Sequence, residues 1–246
     1  MNFPILYQDD YLVAARKPAD ILVHRTALAR DRVFMLQSLR DQLGRTLYPV
    51  HRLDRATSGV IVFALDSRSA HQLNQAFSEQ QVHKQYLAIV RGWPPAQGEI
   101  NRPVKDDDRA EHRPALSRYR RLAQCELPVP NRRYPTSRYA LLELEPMTGR
   151  RHQLRIHCER MAYPIIGDTT HGDGEHNRIF REHLGIRRLL LHARTITLPH
   201  PAESTRRLTV SCPPGDQFID AMIGLGWKDW LDNEAKALFR PALEDQ

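Results

Sequence analysis

His51-Arg52-Leu53-Asp54-Arg55-Ala56-Thr57-Ser58-Gly59-Val60-Ile61-Val62-Phe63-Ala64-Leu65 joins a charged loop to an uninterrupted apolar run. From Val60 to Leu65 the run is rich in β-branched residues, the pattern of a strand covered on both faces. It therefore predicts a buried central strand. Asp54 lies between two arginines at the mouth of that strand. Neighbouring positive charge favours the ionised carboxylate, so Asp54 is expected to stay charged at neutral pH. Such a group can act as nucleophile, general base or metal ligand. Taken alone, Arg-x-Asp-Arg also describes an ordinary ion pair in a polar turn, and the local sequence does not choose between the two.

Working outward, Ile5–Tyr7 and Tyr11–Ala14 read as short extended pieces turned at Gln8-Asp9-Asp10. Val33, Leu36, Leu39 and Leu43 have helical spacing closed by Gly44. Ser67 is placed to cap a second helix, whose inner face carries Ala70, Leu73 and Phe77. Tyr86–Val90 predicts another strand. Residues 93–137, rich in proline, arginine and aspartate, predict an insertion or flexible loop region. Arg138–Glu145 alternates as a strand up to Pro146, and Arg150–Met161 carries Leu154, His157, Cys158 and Met161 at helical spacing. Two strands between Leu189 and Val210 and a helix over Phe218–Trp230 complete the chain. Hairpins interspersed with helices, without a regular βαβ rhythm, predict one α+β domain over 1–246.

Hydrophobic residues make up 41% of the 246 and charged residues 26%, which allows a core and argues against global disorder. No apolar run approaches the roughly 18–20 residues that span a bilayer. The N-terminus has no signal-peptide pattern. Cys125, Cys158 and Cys212 are odd in number and widely spaced, as expected of a reduced, cytoplasmic protein. Net charge is +7, and +6 of it falls between Arg102 and Arg160, where fourteen Lys and Arg face eight Asp and Glu. Nearly all those cations are arginines, suited to bidentate contact with phosphate, so the charge points to nucleic acid or another anionic surface. A solvated basic face is the plainer alternative.

Three further features bear on chemistry. In Thr148-Gly149-Arg150-Arg151-His152-Gln153-Leu154-Arg155-Ile156-His157, a helix starting near Gly149 would crowd three arginines into its first two turns. Cations are disfavoured there, so an anion such as a phosphate or Asp54 should compensate. Arg151 and Arg155, four apart, would share a face. In His83-Lys84-Gln85-Tyr86-Leu87-Ala88-Ile89-Val90-Arg91-Gly92, Tyr86 can offer a flat ring to a base or sit half-buried in the core. His171-Gly172-Asp173-Gly174-Glu175-His176 holds four possible metal ligands, but on a Gly-rich loop rather than a rigid element, and Asp106-Asp107-Asp108 reads as solvated loop. No metal site is expected. Cys158 lies on an apolar helical face, as inert core. Phosphate-loop, dinucleotide and serine-elbow patterns are absent from the sequence, which removes support for nucleotide hydrolysis, dinucleotide redox and serine hydrolysis.

Together these segments resemble the pseudouridine synthases of the RluA type. HRLDRATSG (51–59), HKQYLAIVRG (83–92), TGRRHQLRIH (148–157) and RLLLHA (188–193) are similar to that family's motifs, in the family's order, as is the opening ILYQDDYLVAARKPADILVH (5–24). RYPTSRYALLELEPMTGRRHQLR (133–155) and GDTTHGDGEHNR (167–178) are more similar to the branch that modifies uridine-65 of tRNA than to ribosomal-RNA members. Two departures are Tyr163-Pro164-Ile165, where the family usually has His-Pro-Ile, and Ala56, where proline is common.

The resemblance implies a pseudouridine synthase fold, with a mixed, largely antiparallel central sheet flanked by helices and loops, and no S4-type RNA-binding module. It implies isomerisation of a uridine to pseudouridine without cofactor. Asp54 would be the nucleophile, attacking either the sugar C1′ or the base C6. Tyr86 would stack on the target base and take part in proton handling, and Arg155 would pair with Asp54. Arg52, Arg151 and Leu191 would contact the substrate, with Arg52 filling the stack vacated by a flipped uridine. The expected partner is RNA, tRNA in particular, with no membrane and no obligate protein partner. Ribosomal RNA as substrate, a non-catalytic RNA-binding or chaperone protein, and a carboxylate hydrolase are the alternatives. The last is disfavoured because glycosidases usually need two carboxylates and this motif has one.

Overall fold

The computed structural model describes residues 1–24, 33–105 and 111–238. In chain order they form β1 (Ile5–Gln8), β2 (Leu12–Lys17), α1 (Met35–Leu43), β3 (Tyr48–Pro49), β4 (Ser58–Ala64), α2 (Ser67–Ser78), β5 (His83–Arg91), β6 (Gln97–Asn101), β7 (Val104–Lys105), β8 (His112–Arg113), β9 (Leu116–Leu127), β10 (Ser137–Pro146), α3 (Gln153–Arg160), α4 (Gly174–Leu184), β11 (Leu191–His200), β12 (Glu203–Ser211), α5 (Asp216–Gly224) and α6 (Lys228–Leu238). Ten strands make one sheet in the order β1-β2-β4-β11-β5-β10-β9-β6, with β12 on β11 and β3 on β4. This is the α+β architecture with a mixed, largely antiparallel sheet that the sequence predicts.

Val60–Ala64 of the apolar run lie in β4, which is buried at every position. It joins two half-sheets. On one side β2 pairs with it antiparallel, and on the other β11 pairs with it parallel, Ser58 and Gly59 lying opposite His192 and Ala193. Gly59 has φ +127, and a Cβ there would lie 2.1 Å from the Ala193 carbonyl oxygen. Only glycine permits this seam. The first half-sheet packs on α1 and α2 through Met35, Leu39, Ala70 and Leu73.

The second half-sheet is covered on both faces, so Leu87–Val90 of β5 and Tyr139–Leu142 of β10 are buried without alternation. Leu87, Ile89, Tyr139 and Leu141 face Phe180 of α4 and Phe218 and Met222 of α5. Ala88, Val90, Ala140, Leu142 and Leu144 face Leu154 and Cys158 of α3. Successive strand residues alternate between faces, so Tyr86 falls on the α3 side with Ala88 and Val90.

Several local expectations change. Much of 93–137 is strand: β6 and β9 extend the main sheet and β7 pairs with β8, so a flexible loop does not describe it. The prolines lie between strands, and β9 exposes Arg118 and Arg120, giving a strand the composition of a loop. Asp106-Asp107-Asp108 lies outside the described residues. Asp66, not Ser67, caps α2, its carboxylate accepting from the Ser69 N–H at 2.8 Å. Residues 167–178 are not loop throughout, since Asp173 caps α4 and Gly174 begins it. The C-terminal helix is two, separated by Gly226 at φ +78. Among the described residues no helix is long and apolar enough to cross a membrane.

Candidate active site

The loop before β4 is held at both ends. Lys17, wholly buried at the end of β2, donates from Nζ to the carbonyls of Pro18 (3.0 Å), Arg55 (2.8 Å) and Thr57 (2.7 Å). Burial pushes its ammonium down to about 7, while three carbonyl oxygens use all three of its N–H bonds. At the other end His51 Nε2 accepts from the Val62 N–H at 2.9 Å, and its ring stacks on Phe77. Burial, with Lys84 nearby, pushes this imidazole down to about 3, so it remains the neutral acceptor the contact needs. Between these anchors Asp54 closes a turn, its carbonyl accepting from the Thr57 N–H at 3.1 Å.

The seam beside the loop is braced by RLLLHA. His192 Nδ1 lies 2.8 Å from Ser58 Oγ, and its Nε2 lies 2.8 Å from the Cys212 carbonyl. Arg188 Nη2 donates to Ser58 Oγ at 2.7 Å. Burial pushes His192 down to about 4, and a neutral ring can then donate to the Cys212 carbonyl and accept from Ser58. Leu191, one residue earlier, is left to face the cleft.

TGRRHQLRIH forms a turn and then a helix. α3 begins at Gln153, so Arg150 and Arg151 precede it and only Arg155 is helical. Arg151 and Arg155 therefore do not share a helix face: Arg151 is exposed and Arg155 buried. Gln153 fixes the turn, its Oε1 accepting from Thr148 Oγ1 (2.7 Å) and the Arg150 N–H (3.0 Å), its Nε2 donating to the Leu116 carbonyl (2.9 Å). His157 is buried against Ser117 Oγ (3.0 Å) and the Arg102 carbonyl (2.9 Å).

Arg155 is the pivot of the site. Its Nη1 lies 3.6 Å from Asp54 Oδ2, the expected pairing. Its closer partner is Asp168, which takes Nε at 2.6 Å and Nη2 at 2.8 Å. Asp168 Oδ1 also accepts from the N–H groups of Thr170 and His171, both at 2.9 Å. Burial alone would raise the Asp168 pKa; the Arg155 hydrogen bond and those two amides outweigh it and hold the carboxyl below its ordinary value. His152 Nε2 stands 3.8 Å from the same Asp54 oxygen. The anion expected near these cations is thus Asp54 for the contact at hand and Asp168 for the stronger one.

A cleft of about 680 Å³ runs between the half-sheets, and Arg52, Asp54, Tyr86, Arg151, Arg155 and Leu191 all line it. The structure brings together every site residue expected from sequence, though Arg52 and Arg151 stand at exposed positions. Burial, followed by the charge of Asp54, raises the phenol pKa of Tyr86, so it stays protonated. Lys84 also lines the cleft, and burial lowers its pKa. The four metal-ligand candidates at 171–176 turn to other partners: Asp173 to Arg91 at 2.6 Å, His176 to Tyr139 at 3.0 Å, His171 to Glu159 at 3.1 Å, and Glu175 to the Arg132 N–H at 2.8 Å. Cys158 is buried, and its thiol is pushed up to about 12 by burial. Asp168, His152, Lys17 and His192 were missed as site residues. Of these only Lys17 left a local signal, a lysine at the end of a strand that begins Leu12-Val13-Ala14-Ala15.

A family model described as RNA pseudouridylate synthase matches residues 11–160. The chain belongs to the RNA pseudouridylate synthase family, whose members are isomerases acting on RNA. Within it, the chain is similar to proteins named tRNA pseudouridine synthase C. That of Vibrio cholerae serotype O1 is 47% identical over 238 residues, covering 92% of this chain and 97% of the relative. That of Salmonella typhimurium is 42% identical over 250 residues, covering 97% and 95%. Among solved structures, Human RNA Pseudouridylate Synthase Domain Containing 4 superposes with TM-score 0.71 at 28% identity, over 91% of this chain and 93% of that one. Human RNA Pseudouridylate Synthase Domain Containing 1 shares the fold, with TM-score 0.71 at 23% identity over 98% and 96%.

Proposed function

We propose that this protein converts a uridine of tRNA, uridine-65, to pseudouridine with Asp54 as nucleophile and no cofactor. The observation that carries the reading is the convergence of Asp54, Tyr86 and Arg155 in one cleft from three separate segments. The names of the relatives support tRNA as substrate, and the resemblance of 133–155 and 167–178 supports position 65.

Arg155, fixed by Asp168, pairs with Asp54 and keeps it aimed into the cleft. The target nucleotide is flipped out of its stem to reach it, and Arg52 at the rim fills the vacated stack. Tyr86 offers its ring to the flipped base, and Leu191 supplies an apolar wall. After Asp54 attacks, the base detaches, turns and rejoins through carbon, exchanging an N–C for a C–C glycosidic bond. Arg151 and the other cleft cations contact phosphate, so affinity falls with salt.

Purified protein is incubated with unmodified tRNA and with ribosomal RNA, without metal or nucleotide, and pseudouridine is mapped in each. Product at position 65 of tRNA, lost in Asp54→Asn, is the expected result. Product confined to ribosomal RNA would refute the substrate, and an active Asp54→Asn would refute the nucleophile.

A further inference from the structure

His152 enters α3 with φ 54 and ψ 15, in the left-handed region that is uncommon outside glycine, though histidine is among the residues that tolerate it. Backbone strain of this kind collects at functional sites. Here it accompanies an imidazole that lines the cleft and begins a row of polar contacts leading out of it. His152 Nε2 lies 3.8 Å from Asp54 Oδ2, and His152 Nδ1 lies 3.3 Å from His171 Nε2. His171 Nδ1 lies 3.1 Å from Glu159 Oε2. The Glu159 side chain is 49% exposed, against 22% for His152 and 18% for His171, so the row ends in solvent.

Filling all three contacts at once takes three protons, and two neutral imidazoles carry two. One end of the neutral pair is therefore empty. With the His152 proton on Nε2, toward Asp54, the vacancy lies at the Glu159 end. Moving the vacancy to the cleft end leaves Nε2 with a free lone pair and puts a proton on His171 Nδ1, toward Glu159.

Pseudouridine formation requires such a group. Once C5 of the base has bonded to C1′, the C5 hydrogen must leave and N1 must gain one. Burial, and then Asp54, favour the protonated Tyr86 phenol, whereas the row that begins at His152 offers a proton a way out to solvent. Resting on Asp54 as the group that engages the uridine, we propose that His152 is a further catalytic residue: it takes the C5 proton and passes its own through His171 to Glu159 and solvent. The C5–H electron pair re-forms the C5–C6 double bond, the pair of the C6–N1 double bond moves onto N1, and N1 takes a proton from water. The proton moves from C5 to His152 Nε2, from His152 Nδ1 to His171 Nε2, and from His171 Nδ1 to Glu159. The groups facing the pair suit this direction. For His152 burial is the largest effect and lowers its pKa. Asp54 opposes it, while Arg155, Arg151 and His171 lower it further. His171 faces Glu159, and its backbone N–H is held by Asp168.

The test uses the full chain with tRNA, and with tRNA carrying uridine deuterated at C5. His152→Asn keeps a side chain that tolerates the left-handed backbone but cannot carry the proton. It should lower kcat by about 100-fold or more. C5–H cleavage then becomes the slow step, so a primary isotope effect appears. The loss of wild-type kcat on the acid side, as His152 takes up a proton, disappears in the variant. In His152→Gly, free imidazole recovers part of the lost rate. His171→Gln lowers kcat without raising KM. A His152→Asn enzyme near the wild-type rate overturns the proposal. So does a slow variant with no isotope effect and no imidazole rescue, which is a structural role only. An active Asp54→Asn would sink the nucleophile reading instead, whatever His152 does.

Discussion

Asp168→Ala is the most direct probe of how the cleft holds its charge. Asp168 is 2% exposed and accepts four hydrogen bonds, two from Arg155 and one each from the Thr170 and His171 amides. Removing it leaves a guanidinium only 7% exposed with Asp54 as its carboxylate contact, at 3.6 Å. Breaking one partner of a buried ion pair costs about 3–5 kcal/mol. For a chain of this size that lowers Tm by roughly 6–20 °C. Asp168→Asn keeps one oxygen for the amides and loses less, about 1.5–3 kcal/mol. The pH dependence has a definite sign. The folded-state pKa of Asp168 is depressed, so its stabilisation is present above the ordinary carboxyl value of about 3.9 and is lost as pH falls through the folded value. Urea unfolding of wild type and Asp168→Ala, repeated from neutral to acid pH, should give midpoints that converge in acid at unchanged m. Pseudouridine formation should fall as well, because Arg155 is no longer fixed beside Asp54. A variant within about 1 kcal/mol of wild type at neutral pH, or a gap that persists in acid, would refute the anchoring of Arg155 through Asp168.

Three other outcomes are expected. Gly59→Ala sets a methyl 2.1 Å from the Ala193 carbonyl oxygen at φ +127 and should cost at least about 3 kcal/mol; wild-type stability by thermal melting would contradict the seam geometry. Lys17→Met leaves the carbonyls of Pro18, Arg55 and Thr57 without their donor, for a loss of about 2–4 kcal/mol. Its amide exchange should quicken over 53–58 and kcat should drop more than tRNA affinity; unchanged exchange there would show the cage to be dispensable. For tRNA binding, log Kd should rise with log salt, and Arg151→Ala should reduce that slope by about one; an unaltered slope would remove Arg151 from phosphate contact.

What the sequence revealed and what it hid divide along physical lines. β4 and β5 were readable because a strand covered on both faces has to be apolar throughout, and α1 because its spacing repeats at one face and stops at Gly44. β9 was hidden because it lies toward the outside of the sheet, exposing arginines in the pattern of a loop. Asp54, Tyr86 and Arg155 were legible through the resemblance of three motifs, since alone each also reads as an ordinary turn, core or surface residue, and the cleft does gather them. Asp168 was not, since its partnership with Arg155 depends on how the chain turns between α3 and α4. His152 was hidden for a similar reason: a backbone in the left-handed region cannot be seen in a side-chain pattern. Lys17 was placed by a carbonyl cage supplied largely by residues some forty positions away.

The parallel seam has a consequence for the order in which the molecule comes into being. Ser58 and His192, which meet across it, are 134 residues apart. A ribosome releases the Asp54 half first, and domains tend to gain structure from the N-terminal side as they emerge. Yet the wall carrying Leu191 and the brace carrying His192 arrive more than a hundred residues later. Until then the loop before β4 lacks its parallel neighbour, and the cleft has one side missing. A nascent chain therefore exposes Asp54 long before the cleft around it is complete, and the cleft closes only once the residues around His192 have emerged.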